Sequence, residues 1–332
     1  MKKYQIYFCL FIILSLGLIF KPDYSIAQKR DSSVDNGYYI TYPGKVMGRL
    51  FLAQKYAPFT IPSNNSLDNE LNYKTNSKLD LGIGATYRSL TLNLAYGFGF
   101  LNKDKGQGKT KGLDLQLHIY PHKWAIDLLG TFRKGYYLDP KDNSGLSLVK
   151  YYQRPDVKRE IIGFSVFRVP NAGKFSYQAA LTQIDWQKKS AGSLLFGGEV
   201  YYGNIKGDSA LVPNKVYNIY PQAGITKVNF FSIGPGIGYA YTFVISKHFF
   251  ITSSGIVNLN ADFSTEEKAS DKNNTVALTP DFVYKGAFGY NSAAWSVSAN
   301  IIGNALYVGS KASSKEYFLP TGTLRFIVAK KF

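Results

Sequence analysis

The sequence predicts an all-β chain, a transmembrane antiparallel β-barrel behind a cleaved signal peptide. Three observations carry that prediction. The 332 residues open on an export signal. Beyond it, apolar and polar residues alternate with period two, without the apolar run of about 18 residues that a spanning helix needs. The composition is also rich in 26 Tyr, 23 Phe and 31 Gly, far from the Ala, Leu, Glu and Lys of a coiled coil. An apolar share of 45% excludes a disordered basic tail.

The signal peptide spans residues 1–27. Lys2 and Lys3 form its positive start, Tyr7 to Phe20 its apolar core, and Ser25-Ile26-Ala27 supplies small residues where a signal peptidase cuts. Cys9 lies inside that apolar core and not at the cleavage point, which argues against a lipid anchor. It is the only Cys, so cleavage leaves a chain without disulfides, a thiol nucleophile or a thiolate metal site. Residues 28–44 then make a short periplasmic lead-in, too short for a plug domain, and the barrel occupies 45–332.

Alternation places each strand's two faces. Leu79, Leu81, Ile83, Ala85 and Tyr87 share one face, opposite Lys78, Asp80, Gly82, Gly84, Thr86 and Arg88. Leu90 to Phe100 repeats the pattern with Gly97 and Gly99 on the polar side, and Leu113 to Ile119 sets Asp114, Gln116 and His118 inward. Phe231 to Ile245 turns Gly234, Gly236 and Gly238 inward, and Phe282, Tyr284, Phe288 and Tyr290 oppose Asp281, Lys285 and Gly289. Such strands exceed the five or six residues or so of soluble proteins. They suit a bilayer crossing with aromatic girdles, for which Tyr87, Trp124, Tyr136, Tyr137, Tyr201, Tyr202, Tyr239, Tyr241, Tyr290, Trp295 and Tyr307 are candidates.

Turns give the count. Arg88-Ser89, Pro121 to Lys123, Pro170 to Lys174, Ser246 to His248 and Asn291 to Ala294 read as tight hairpin turns. Longer polar segments lie at Pro58–Ser77, Asn102–Lys111, Leu138–Lys158, Asn204–Lys227, Ser264–Thr275 and Ser310–Lys315. The Pro170 and Ser246 turns belong on one side, which calls for an additional strand within Asn204–Lys227 and predicts 14 strands, with 12 as the alternative. The last strand turns Phe326, Val328 and Phe332 to one face and ends the chain on Phe332. It resembles the insertion signal read by the barrel assembly machinery, although Lys330 stands where an apolar residue is usual.

Several stretches resemble a bacteroidete outer-membrane family known only as a domain of unknown function. They are Leu79–Asn102 (LDLGIGATYRSLTLNLAYGFGFLN), Gly108–Tyr120 (GKTKGLDLQLHIY), Asp127–Leu138 (DLLGTFRKGYYL), Tyr151–Asp156 (YYQRPD) and Phe175–Gly203 (FSYQAALTQIDWQKKSAGSLLFGGEVYYG). The resemblance runs from about Tyr38 to Phe332. It implies an exported outer-membrane barrel and no particular chemistry.

Asp80, Arg88, Asp114, His118, Asp127, Arg133 and Glu199 form the candidate lumen network, because inward charges need partners. The inward stripe Gly82, Gly84, Gly97, Gly99, Gly234, Gly236 and Gly238 either widens the lumen or makes room for bulky neighbours. His122 and His248 belong to turns. Gly106 to Thr110 lacks the spacing and context of a phosphate loop. No metal motif appears and no cofactor is expected. The leader carries Lys2, Lys3 and Lys21 against Asp23, so cleavage lowers the formal charge of +17 by two. The remaining excess, in residues such as Lys103, Lys105, Lys109 and Lys111, suits outer-membrane lipid and lipopolysaccharide, not nucleic acid. Function is therefore read as a passive channel or small-solute translocation protein. The alternatives are a closed structural barrel that binds lipopolysaccharide or an envelope partner and, third, a lipid-modifying enzyme using His118. Oligomeric state is left open.

Overall fold

The computed structural model describes residues 33–63, 70–101, 106–142, 150–269 and 271–332. The expected signal peptide, Gly99's surroundings, Lys103 and Lys105 lie outside what is described.

Strands dominate. A short pair, β1 (Val34–Asp35) and β2 (Tyr39–Thr41), precedes β3 (Val46–Tyr56), β4 (Phe59–Ile61), β5 (Leu71–Lys74), β6 (Leu79–Tyr87), β7 (Leu90–Tyr96) and β8 (Lys111–Ile119). Then come β9 (Trp124–Leu138), β10 (Tyr152–Arg168), the one-turn helix α1 (Tyr177–Leu181), β11 (Trp186–Gln187) and β12 (Ala191–Lys206). The chain finishes with β13 (Ile225–Ile245), β14 (Phe249–Lys268), β15 (Lys272–Asn291), β16 (Trp295–Val308) and β17 (Tyr317–Lys331).

Fourteen of these strands form one sheet, and its closure is the fold. From β9 the chain runs through β10, β12, β13, β14, β15, β16 and β17, each antiparallel to the next. Strand β17 then pairs with β3 over Gly322–Lys331 against Met47–Tyr56, and β6, β7 and β8 lead back to β9. The last two strands of the fourteen make a second, narrower closure. Phe318 on β17 pairs with Thr60 on β4, β4 pairs with β5, and Tyr73 on β5 pairs with Leu138 on β9. The extra strands thus come from 59–74 and not from 204–227, where β12 ends at Lys206, β13 begins at Ile225 and residues 207–224 form no strand, only a 3-10 turn at Asn214–Val216. Pro213 at the head of that turn and the glycines around it break the alternation that a strand would need.

Along the long strands the two faces separate cleanly. On β14, Ile251, Val257, Leu259 and Phe263 point out and are about half exposed, while Thr252, Ser254, Asn258, Asn260 and Asp262 point in and are buried. The same parity exposes Ile233, Ile237, Tyr239 and Phe243 on β13, and Val276, Leu278 and Phe288 on β15. A water-soluble chain does not leave a continuous apolar belt of this kind in solvent, whereas a lipid-facing barrel requires it. The molecule is a transmembrane antiparallel β-barrel. Trp124, Tyr202, Tyr239, Tyr241 and Trp295 are outward and exposed. Tyr136, Tyr137 and Tyr201 are buried and not girdle residues: parity turns Tyr201 inward, Tyr136 follows a left-handed Gly135 (φ 92°) into the interior cluster, and Tyr137 is covered edge-on by Tyr151.

Both chain ends of the barrel meet at one rim, where Val46 and Phe332 exchange backbone hydrogen bonds of 3.3 and 2.8 Å. The tight turns 88–89, 121–123, 246–248 and 292–294 share this terminal rim. Two expectations fail here and at the far rim. Pro170 to Lys174 begins no hairpin turn, because residues 169–190 fold back into the lumen before β12 starts. Ser264–Thr275 is no long loop, because β14 and β15 stay paired as far as Glu267 and Lys272.

Candidate functional site

The interior is filled in three layers. At the terminal rim lies the folded-back segment 169–190, whose Phe175, Tyr177, Ala180 and Leu181 join a buried cluster with Phe167, Leu195, Phe250 and Ile256. Ser176 caps α1 by accepting from the Ala179 amide, and its hydroxyl donates to Asp185 at 2.7 Å. The wall reaches in to hold the segment. Asn300 donates to the Leu181 carbonyl at 3.1 Å, Asn291 to the Asp185 carbonyl at 2.7 Å, and Arg49 to the Thr182 carbonyl at 3.2 Å. Gln178 donates to the Tyr120 carbonyl at 2.6 Å. The lead-in adds to the same layer, since β11 of the segment pairs with β2.

The middle layer is polar. His118 and Asp127 face each other across β8 and β9, with Nδ1 2.6 Å from the carboxylate. Facing a carboxylate, Nδ1 is the nitrogen that carries the proton and donates it. Lys285 donates to the other carboxylate oxygen at 2.5 Å, and the Tyr120 hydroxyl donates to Asp127 at 2.8 Å. His118 Nε2 is buried without a hydrogen bond, and the two cavities it borders measure about 50 and 10 Å³. Those volumes hold water and not a substrate. A second group on β12, β14 and β15 joins Glu199, Asn260 and Asp281, with Asn260 donating to Glu199 at 3.1 Å and to Asp281 at 2.5 Å.

The far layer is apolar. Phe59 and Ile61 of β4 and Leu71 and Tyr73 of β5 pack with Tyr136, Tyr201, Phe230, Leu306 and Tyr317 in a fully buried cluster. Arg159, completely buried, donates to the carbonyls of Pro58 (2.6 Å), Pro320 (2.9 Å) and Leu319 (3.1 Å), tying β4 to β17. Beyond it, Arg154 grips Asp156 through two hydrogen bonds of 2.8 and 2.9 Å.

A polar cavity of about 430 Å³ lies between the short strands β3, β6, β7 and β8 and residues 75–78, which lead into β6. Lys55 lies 3.5 Å from both Asp80 and Asp114, Arg133 pairs with Asp114, and Arg325 donates to Gln116 at 2.6 Å. Gly112 opposite Arg133 has no Cβ to obstruct that guanidinium.

The predicted residues therefore separate into three places. Asp80, Asp114 and Arg133 line the side cavity, His118 and Asp127 the middle layer, and Glu199 the acidic group. Arg88 joins none of them. It occupies the β6–β7 turn with a left-handed φ of 53° and lies over the Tyr87 ring, exposed, because a two-residue connection leaves it outside the strand. Gly97 and Gly99 also fall beyond β7, which ends at Tyr96. The inward glycines leave no open space. Phe51 covers Gly82, Arg49 and Asn93 cover Gly84, and Asn260, Asn258 and Ile256 cover Gly234, Gly236 and Gly238. Sequence reading does not single out Lys55, Arg159, Lys285 or Arg325 as site residues, although strand parity sets Lys285 and Arg325 inward. Phe326, Val328 and Phe332 are outward and exposed, and Lys330 beside them lies 5.3 and 5.1 Å over the rings of Trp295 and Phe332. Among the described residues no group of His, Cys, Asp and Glu is arranged to hold a metal.

A family model described as Domain of unknown function (DUF4421) matches residues 29–332. No curated protein matches the sequence. Among solved structures, the outer membrane protease OmpT from Escherichia coli is 8% identical over 90% of this chain and 100% of that one, with a TM-score of 0.37. The toluene transporter TodX of P. putida is 7% identical over 87% and 90%, with a TM-score of 0.29. The outer membrane protein OprG from Pseudomonas aeruginosa is 11% identical over 87% and 95%, with a TM-score of 0.22. Likenesses this distant say nothing of activity.

Proposed function

The chain belongs to the DUF4421 family, a domain of unknown function, and from that premise we propose that it is an outer-membrane barrel closed along its axis, a binding and structural protein of the envelope and not a passive channel. The observation that carries this reading is the stacking of segment 169–190, the His118–Asp127–Lys285 layer and the β4–β5 cluster across one lumen. The terminal rim, with its tight turns, is the periplasmic side, and the longer connections face outward. The outward Phe326, Val328 and Phe332 support insertion by the barrel assembly machinery. The surplus of basic residues supports contact with lipopolysaccharide and other outer-membrane lipid. The water-sized space beside His118 favours a structural role for that histidine over a catalytic one.

The test is retention of a small sugar by liposomes carrying the purified full chain, with folding checked by heat-modifiable gel mobility. Retention equal to protein-free liposomes is expected. Rapid release by folded barrels overturns the closed-lumen reading and restores the translocation reading.

A further inference from the structure

Strands β7 and β8 are neighbours in the barrel wall, yet they pair only through Leu90↔Ile119 and Thr91↔His118. Each is fully paired on its other side, β7 with β6 up to Tyr96 and β8 with β9 up to Lys111. Continued in register, Asn93 would meet Gln116 and Ala95 would meet Asp114. Instead the two edges part, and residues Asn93–Gly97 and Gly112–Gln116 line the 430 Å³ side cavity. The outward residues along the parted edges are apolar and exposed: Leu92 62%, Leu94 67%, Leu113 53% and Leu115 50%. Unpaired backbone at membrane depth costs several kcal/mol per group and is tolerated only where it lines a polar cavity. The wall is therefore split where a polar chamber meets the lipid-facing surface.

The chamber's charge is unbalanced. Lys55, Lys78, Arg133 and Arg325 stand against Asp80 and Asp114 alone, and Arg325 has no carboxylate partner among the described residues. The Nε atoms of Arg133 and Arg325 are buried without a hydrogen bond. A buried guanidinium without an anion is costly and leaves donors for one. The volume lies within the range of small-ligand sites. We propose that this split is a lateral portal through which the barrel binds a single-chain amphiphile with an anionic oxygen headgroup, carboxylate or phosphate, its head on Arg325 and Arg133 and its tail leaving between β7 and β8 into the bilayer. The inference rests on the membrane-barrel reading and names the ligand class of that same protein.

The experiment titrates the full chain, in nanodiscs of a zwitterionic phospholipid, with tritiated palmitate. Saturable binding is expected, with no competition from hexadecanol and with affinity lowered about ten-fold or more in Arg325→Gln, since a charge-assisted hydrogen bond is lost. Competition by lysophosphatidate ranks phosphate against carboxylate. Palmitate carrying a photoreactive diazirine should label the wild type on residues 92–97 and 111–116. Absence of saturable binding by folded barrels, equal competition by hexadecanol, or labelling spread around the perimeter overturns the portal. A barrel that retains sugar yet binds no palmitate fails this inference alone. One that binds palmitate yet releases sugar fails the closed-lumen reading alone.

Discussion

Asp127 shows how single residues hold this lumen. Its carboxylate takes three donors, Lys285, His118 and Tyr120, at 2.5, 2.6 and 2.8 Å. Lys285 is 3% exposed at its side chain, so removing it strands a buried anion. Lys285→Met should destabilise the barrel by about 3–5 kcal/mol, the usual cost of breaking a buried pair from one side. Pairing it with Asp127→Asn should recover most of that loss, because two neutral groups need no partner charge. Urea unfolding in detergent, followed by gel mobility, checks both values. A double variant no better than the single would mean that Lys285 acts through packing alone, as its position 5.1 and 5.2 Å over the Tyr120 and Tyr177 rings would allow.

Among the elements, the segment 169–190 is the one whose role sequence reading misses. Phe175 to Leu181 offers aromatic and apolar residues spaced like those of a strand, and only tertiary contact turns them into a helix and a lumen filler. Burial of Phe175 is complete. Phe175→Ala should therefore cost about 3–5 kcal/mol, read as a lower urea midpoint, whereas Phe288→Ala on the lipid face should cost much less. Equal costs would place the segment outside the folded core. Strands such as β13 and β14 are legible, because parity alone tells which face meets lipid. Strand β3 is less so, since its inward face mixes Met47, Phe51 and Ala53 with Arg49 and Lys55, and the two faces differ little in polarity. The parting of β7 from β8 has no sequence signal at all. Alternation says which way Leu94 and Leu115 point, and it is silent on whether their backbones bond.

Over the whole molecule, the same composition serves two boundaries. Outward Phe, Leu, Ile and Val form the lipid belt, while inward Asn, Ser and Thr, with a few charges, form a packed polar interior. The glycine stripe lets neighbouring side chains cross the lumen instead of widening it. The two closures of the sheet differ in size, since the β4–β5 ring bypasses β3, β6, β7 and β8. Those four strands line the side cavity, and the β4–β5 ring belongs to the far layer. The architecture is thus shut along its axis and parted at its side. Single-channel recording from the purified full chain in planar bilayers tests that closure most directly. A barrel shut along its axis predicts insertion, verified by gel mobility, without conductance steps in molar salt. Reproducible steps from the folded wild type would contradict it.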